Sequence, residues 1–418
     1  MVNYRSDTTV WPISQGNGVI VAVIDSGVLK DHQDLTGQVL PGADFSGENS
    51  DGTVDKDGHG TGMASLIAGH GHGDQAGIMG LAPKSKILPI RIRWGGEDVA
   101  EGEKSDVARA VRFAADHGAK VINMSIGGYS KNDSEIRSAV SYAAGKDVVL
   151  VASTGNSGNR NRPVEYPAAF PGVVAVGAVD RTGAIWEKST FGPETTLAAP
   201  GAGIYRASAQ PAAGYGIGDG TSDATAYVSA IAALVRSKYP ELSAGQVINR
   251  MIKTAVAPPD GSTAPNDKYG YGIASPSKAL APNPAVDGGS KENPLLGRAE
   301  SQGGAATTEP AAEPGGGDVG GVPGAADSAG VPGYLYVAAG AVGLLIVVGV
   351  VFLIVRKRGN RNGPGPGPGP GPGGGYMPPQ QPPYGYPQAP PMAQPPHGLP
   401  QGPPGVPPAA PSSGNPYR

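Results

Sequence analysis

The chain's first predicted strand is the stretch Gly18-Val19-Ile20-Val21-Ala22-Val23-Ile24-Asp25, a continuous apolar run that ends on a carboxylate. A run without alternating polar residues predicts a strand buried on both faces, which is typical of parallel sheets. Similar apolar runs lie at 87–92, 121–125, 148–152 and 173–178. They alternate with segments of helical spacing, and this alternation predicts an α/β fold with a mainly parallel central sheet.

Helices are predicted between and after these strands. Residues 105–117 and 134–144 carry apolar side chains at helical spacing, and each segment is followed by a glycine, which favours a helix end. Helices rich in small residues open at His59 and at Ser222, and another follows Ser243 as its N-cap. In parallel sheets the functional site lies at the carboxyl edge of the strands, often at helix N-termini.

Three short motifs supply the groups that serine acyl transfer needs. In this chemistry a serine attacks, a histidine removes its proton, and an aspartate holds the histidine tautomer and stabilises the imidazolium. Because one of these groups ends a strand and two open helices, we expect them at one edge of the sheet. The motifs are Val23-Ile24-Asp25-Ser26-Gly27, Gly58-His59-Gly60-Thr61 and Gly220-Thr221-Ser222.

With a fourth stretch, Ala152-Ser153-Thr154-Gly155-Asn156-Ser157-Gly158, the chain resembles the subtilisin-like serine proteases over about residues 11–280. The order Asp, His, Ser is also the order of subtilisin. The resemblance implies a subtilisin-like three-layer fold and hydrolysis of peptide bonds. It implies that Ser222 is the nucleophile, His59 the general base and then acid, and Asp25 the orienting carboxylate. No cofactor and no metal ion is expected.

The resemblance also implies how substrate is held. The Asn156 side chain and the Ser222 backbone N–H are expected to form an oxyanion hole. The segment Ser125-Ile126-Gly127 resembles the family strand that pairs with the substrate backbone, and Gly127 leaves room for a second backbone. A simple strand-ending turn is the alternative for this segment. The wall of the primary specificity pocket is expected at Ala152, Ser153, Thr154 and Gly155.

The residues after Ser222 depart from the family pattern at two positions. The family usually has Met directly after the serine and Pro four residues beyond it, where this chain has Asp223 and Ala226. Ala in a first helical turn is benign. Asp223 favours the helix dipole, but beside a developing oxyanion it is unfavourable, and it could raise the pKa of His59. If the side chain points away, its effect is small; we expect an active enzyme of modest turnover.

Composition divides the chain into a globular part and a C-terminal region. Residues 1–281 are predicted to form the peptidase domain, and 282–333, rich in Gly, Ala and Pro, a flexible linker. The chain has no Cys, which excludes disulfides and a Cys nucleophile. Its net charge is −3 without a large basic cluster, so no nucleic-acid partner is expected.

A transmembrane helix is predicted at 334–355, an uncharged apolar run that would be about 33 Å long. Tyr334 and Tyr336 lie at its start, as interfacial residues do. Arg356-Lys357-Arg358 follows it and indicates that 356–418 is cytoplasmic. This tail holds about half of the chain's 43 prolines and is predicted to be disordered with polyproline-II character.

The peptidase domain is therefore expected outside the cytoplasm, on a single-pass protein of the cell membrane. Export needs a signal, yet Met1-Val2-Asn3-Tyr4-Arg5 begins no signal peptide. Either the start is truncated or the span itself acts as the signal. The short opening before the first strand favours truncation.

This layout resembles the mycosins, membrane-anchored proteases associated with type VII secretion, and Tyr269-Gly270-Tyr271-Gly272 is similar to their closing motif. Mycosins generally carry paired cysteines, which this chain lacks. The resemblance implies protein or peptide substrates, contact with membrane lipid through one span, and a type VII secretion complex as partner. The predicted function is a serine endopeptidase that processes exported proteins. The alternative is a structural subunit of such a complex whose protease activity is dispensable.

Two polar stretches are assigned to surface loops rather than to metal sites. His70, His72 and Asp74 have no strong further ligand nearby and are surrounded by glycine, which favours a loop. An acidic surface loop is likewise favoured over a calcium site for Asp44, Asp51, Asp55 and Asp57.

Overall fold

The computed structural model describes residues 4–73, 76–93, 105–158, 162–209 and 214–298. Their strands are β1 (Ile20–Asp25), β2 (Ala43–Asp44), β3 (His70–His72), β4 (Ala76–Met79), β5 (Lys86–Arg91), β6 (Val121–Met124), β7 (Val149–Ser153), β8 (Val174–Val179), β9 (Thr195–Pro200), β10 (Ile204–Ser208) and β11 (Gly214–Gly218). Their helices are α1 (Ser6–Thr9), α2 (His59–Ala68), α3 (Asp106–Asp116), α4 (Ser134–Gly145), α5 (Thr221–Lys238), α6 (Ala244–Lys253), α7 (Pro276–Leu280) and α8 (Pro284–Asp287).

Seven strands form one sheet in the order β2-β5-β1-β6-β7-β8-β9, and every neighbouring pair in it is parallel. The predicted α/β fold with a mainly parallel central sheet is therefore confirmed. The chain runs from β1 to β5 on one side and then crosses to β6 on the other side of β1. Such a switch of direction opens a crevice at the carboxyl ends of the strands.

The sheet is buried on both faces, as its apolar strands predict. In β1, Val21 and Val23 belong to the core formed with α2, α5 and α6, while Ala22 and Ile24 belong to the core formed with α3 and α4. Successive side chains of a strand point to opposite faces, so one apolar run fills both cores. The result is a three-layer arrangement with helices on both sides of the sheet.

Two hairpins outside the central sheet were not predicted. In one of them β3 pairs with β4, so the prediction of a surface loop at His70 and His72 is wrong. The buried Asp34 carboxylate explains the difference, because it lies 2.5 Å from His72 Nδ1 and accepts the Ile78 N–H at 2.7 Å. The third residue of that predicted loop, Asp74, lies outside the described residues. In the other hairpin β10 pairs antiparallel with β11.

The packed region extends beyond the predicted boundary at residue 281. The segment 282–298, which composition assigns to a linker, contains α8 and the buried Leu295. Leu295 O accepts a hydrogen bond from the Gly172 N–H at 3.0 Å, and Asp287 pairs with the fully buried Arg250. A few specific contacts hold this segment, and average composition does not register them.

The rest of the predicted C-terminal region lies outside the described residues. This applies to 299–333 of the linker, to the span at 334–355 and to the tail at 356–418. Within the described part of the chain, no helix combines the length and apolar character that crossing a bilayer requires.

Candidate active site

The end of β1 and the start of α2 bring Asp25 and His59 together. Asp25 is the last residue of β1 and is fully buried, and His59 is the first residue of α2. His59 Nδ1 lies 2.8 Å from Asp25 Oδ1. The same oxygen accepts the Ser26 backbone N–H at 2.8 Å, which fixes the carboxylate. When Nδ1–H donates to a carboxylate, Nε2 is the nitrogen of the neutral ring that can accept a proton.

Gly60 allows α2 to approach β1 this closely. A Cβ at Gly60 would overlap the Gly27 carbonyl oxygen and would lie 3.0 Å from Asp25 Cβ. Any larger residue here would push the start of the helix outward, and it would move His59 away from Asp25.

A second buried carboxylate, Asp55, also holds the start of α2. Its Oδ2 accepts the Thr61 N–H at 2.9 Å and the Thr61 hydroxyl at 2.6 Å. Its Oδ1 accepts the Gly58 N–H at 2.8 Å and the Ser26 hydroxyl at 3.0 Å. The assignment of Asp55 to a surface loop is therefore wrong: it is 5% exposed, because donors inside the fold replace water.

Ser222 is the second residue of α5 and is tied to the segment that follows β6. Its hydroxyl donates to the Ser125 carbonyl at 3.3 Å, and the Ser125 hydroxyl donates to the Ser222 carbonyl at 3.0 Å. The charge of Asp223, the next residue of α5, acts on His59. The starts of α2 and α5 therefore face the same region at the carboxyl edge of the sheet.

Asn156 follows β7 and is held by Thr221 at the start of α5. Its Oδ1 accepts the Thr221 N–H at 2.9 Å and the Thr221 hydroxyl at 3.0 Å. Both bonds engage the amide oxygen, so the Nδ2 donors are oriented away from Thr221, on an exposed side chain beside Ser222. An oxyanion donor needs this combination of fixed orientation and accessibility.

The segments expected to bind substrate lie next to each other after β6 and β7. The Ser153 hydroxyl donates to the Ile126 carbonyl at 3.1 Å, and Gly127 is exposed. The side chains of Ala152, Ser153 and Thr154 are buried in the domain. These three residues can therefore offer substrate little beyond their backbone.

Electrostatics favour a protonatable His59. Burial disfavours the charged ring, but the Asp25 carboxylate outweighs burial through its charge and hydrogen bond and raises the pKa of His59 above 6.5. Of the more distant charges, Arg206 lowers this pKa and Asp223 raises it. Asp25 is therefore the dominant partner of the ring, and Asp223 adds to its effect.

Asp223 is buried and faces Arg206 of β10. Asp223 Oδ1 lies 3.4 Å from Arg206 Nη1. Burial raises the pKa of Asp223 to about 6, although the positive charges of Arg206 and His59 oppose this shift. The side chain is 1% exposed, so it does not point into solvent, and its charge remains in range of His59.

Sequence reasoning missed Asp55 and Arg206 as neighbours of this site. The only sequence signal for Asp55 is its place in the loop before His59, and two other aspartates share that loop. Arg206 lies on a hairpin that the sequence did not predict, so nothing in its spacing pointed to Asp223. Within the described residues, no group of three or more His, Cys, Asp or Glu could hold a metal ion.

This fold and site define the class of the protein: the chain belongs to the subtilase family, whose model matches residues 16–272. It is 38% identical over 228 residues to thermitase of Thermoactinomyces vulgaris, which covers 54% of this chain and 78% of thermitase. It is 37% identical over 244 residues to subtilisin DY of Bacillus licheniformis, which covers 58% of this chain and 85% of that protein.

Among solved structures the similarity is to mycosins. MycP3 protease from the type VII (ESX-3) secretion system superposes with a TM-score of 0.58 at 34% identity, over 67% of this chain and 87% of MycP3. MycP1 from Mycobacterium smegmatis superposes with a TM-score of 0.59 at 27% identity, over 71% of this chain and 87% of MycP1. The predicted resemblance to the mycosin-like subgroup is thus confirmed.

Proposed function

We propose that this chain is a serine endopeptidase that works through Asp25, His59 and Ser222. The observation that carries the proposal is the 2.8 Å contact between His59 Nδ1 and the buried Asp25 carboxylate, in a domain of the subtilase family. This contact fixes the ring tautomer that a general base needs. Ser222 opens a helix that faces the same edge of the sheet.

The proposed reaction proceeds through an acyl-enzyme. Ser222 Oγ exchanges its Ser125 acceptor for His59 Nε2, gives up its proton there and attacks the scissile carbonyl. Asn156 Nδ2 and the Ser222 backbone N–H donate to the oxyanion. The His59 imidazolium then protonates the leaving amine. Water, deprotonated by His59, releases the acyl group by the same steps in reverse order.

The test is labelling of the full-length chain with a fluorophosphonate probe, which reacts only with an activated serine. We expect the wild type to be labelled and Ser222→Ala to remain unlabelled. Ser237→Ala is the control, because it removes another hydroxyl of α5 at the opposite end of the helix, and it should be labelled like the wild type. A folded wild type that takes up no label would contradict the proposal.

The buried Asp223 favours a second candidate function, a structural subunit of a type VII-like secretion complex. A carboxylate beside the nucleophile restrains a reaction that builds negative charge there. In cells, Ser222→Ala would then leave intact the function that deletion of the gene removes. If Ser222→Ala abolishes that function, the structural role alone is insufficient.

The effect of Asp223 on the reaction is tested separately. If Asp223→Met hydrolyses peptides at the same rate as the wild type, Asp223 does not restrain the site.

We further propose that residues 334–355 anchor the chain in the cell membrane, with the domain outside and the tail in the cytoplasm. The support is the apolar run followed by Arg356-Lys357-Arg358. Because the chain has no Cys, a single introduced thiol reports on topology. In intact cells an impermeant maleimide should label Ser262→Cys of the domain but not Ser413→Cys of the tail. The tail thiol should become labelled only after the cells are lysed. The opposite pattern in intact cells, or tail labelling that is the same before and after lysis, would contradict this topology.

A further inference from the structure

Glu165 lies between the two segments expected to bind substrate. Its backbone N–H donates to the Thr154 carbonyl at 3.1 Å, which places it against the segment after β7. The next residue, Tyr166, accepts the Tyr129 N–H at 3.4 Å, which places it against the segment after β6. Glu165 therefore bridges two walls that are far apart in sequence.

The Glu165 carboxylate occupies the space that the two wall glycines leave. A Cβ at Gly155 would lie 2.5 Å from Glu165 Oε1, and a Cβ at Gly127 would overlap Glu165 Oε2. Each carboxylate oxygen thus lies against one wall. The glycines make room for this carboxylate as well as for a substrate backbone.

Glu165 is only half-buried, so a substrate side chain can reach its carboxylate. Burial raises the pKa of Glu165, while the charge of the exposed Arg162 and the Gly128 backbone N–H lower it. A carboxylate shielded from water attracts a cation more strongly than one on the surface. An apolar side chain at this place would instead remove water from the carboxylate without supplying a positive charge, which is costly.

We propose that Glu165 makes this site selective for a lysine or arginine side chain immediately before the scissile bond. The inference rests on the proposed peptidase function and specifies its substrate class. A carboxylate in the specificity pocket performs the same task in trypsin, on an unrelated fold. Here the ammonium or guanidinium group of the substrate would pair with Glu165 between Gly127 and Gly155.

The test compares two peptide substrates that differ only in this side chain, lysine against its uncharged isostere norleucine. For the full-length wild type we expect kcat/KM to favour lysine by about 10- to 100-fold, the range of a charge-assisted hydrogen bond. Glu165→Gln should remove most of this preference by lowering the lysine value alone. Glu165→Asp keeps the charge and should retain a preference, and Glu241→Gln, an exposed carboxylate on another surface, should match the wild type.

Fluorophosphonate labelling of the same samples separates this inference from the proposed function. If Ser222 is labelled but norleucine is cleaved as well as lysine, the role of Glu165 is wrong and the peptidase function stands. The same holds if Glu165→Gln is folded, is labelled and keeps the lysine preference. If Ser222 is not labelled in the folded wild type, both proposals fail together.

Discussion

At the scale of single residues, His59 is governed by carboxylates on two different elements. Asp25 at the end of β1 is hydrogen-bonded to His59 Nδ1, and Asp223 in α5 acts on the ring through its negative charge. Both raise the pKa of the ring, and a general base works only in its neutral form. The pH range of activity should therefore depend on Asp223 even though it makes no step of the reaction.

We predict that Asp223→Asn extends activity to lower pH. Removing a charge that raises the pKa of His59 lowers that pKa, so the neutral base persists at higher acidity. The acid limb of kcat/KM against pH should shift to lower pH. Asp267→Asn, which removes an exposed carboxylate two residues before Tyr269, should leave the profile unchanged. A profile that does not move in Asp223→Asn would mean that Asp223 is not coupled to His59.

Asp55 is predicted to position His59 without taking part in the reaction. Asp55→Asn replaces an acceptor-only carboxylate with an amide that cannot satisfy the same donors from Gly58, Ser26 and Thr61. A small shift of the start of α2 should lower kcat by about 10- to 100-fold. The loss should fall on kcat rather than KM, because substrate does not touch Asp55.

Asp57 offers a matched comparison in the same loop. It is exposed and accepts the His59 N–H at 3.2 Å. Asp57→Asn should change kcat by less than about threefold, since exposed polar groups contribute little. Equal effects of the Asp55 and Asp57 substitutions would contradict the positioning role of Asp55.

At the scale of elements, those that fill the core were predictable and those that lie on its margin were not. The strands at 20–25 and 149–153 are apolar up to their last residue, and the helices after Ser105 and Ser243 carry N-cap residues whose hydrogen bonds the structure contains. The hairpin of β10 and β11 includes Gly-Tyr-Gly-Ile-Gly at 214–218, in which three glycines weaken the strand propensity. Its alternation does not mark a core face, because Ile217 is 75% exposed. Contacts with the rest of the fold override local preference there.

The capping box of α6 gives a stability prediction at this scale. The Ser243 hydroxyl accepts the Gln246 N–H at 3.2 Å, and Gln246 Oε1 accepts the Ser243 N–H at 3.0 Å. Ser243→Ala should lower the free energy of unfolding by about 0.5–2 kcal/mol, measured by urea denaturation. Ser141→Ala in the exposed middle of α4 should be neutral or slightly stabilising. Equal effects of the two substitutions would show that the cap does not stabilise the domain.

At the scale of the whole molecule, the sequence predicted the groups of the candidate site better than their surroundings. Asp25, His59, Ser222 and Asn156 stand in short motifs, so each could be recognised from a few neighbours in sequence. Glu165 approaches the site through backbone pairing with segments distant in the chain, and no local pattern records such contacts. Long-range packing therefore determines the selectivity of the site as well as the boundary of the domain.

The same reasoning gives a prediction for where the domain ends. A chain that stops at residue 285 loses Asp287 and the buried Leu295, whereas a chain that stops at 298 keeps both. Arg250 is fully buried in the intact domain, and the shorter chain removes its carboxylate partner; breaking a buried ion pair in this way costs about 3–5 kcal/mol. The shorter chain should therefore have a free energy of unfolding lower by about this amount, and its urea midpoint should be lower as well.

Arg250→Met distinguishes the contribution of the ion pair from that of the remaining contacts. In the shorter chain this substitution removes the unpaired charge, so it should recover part of the lost stability. In the chain that stops at 298 it breaks the pair with Asp287 and should destabilise or be nearly neutral. If both chains have the same unfolding free energy, residues 286–298 add nothing to the domain, and the boundary at 281 that composition predicts would be correct.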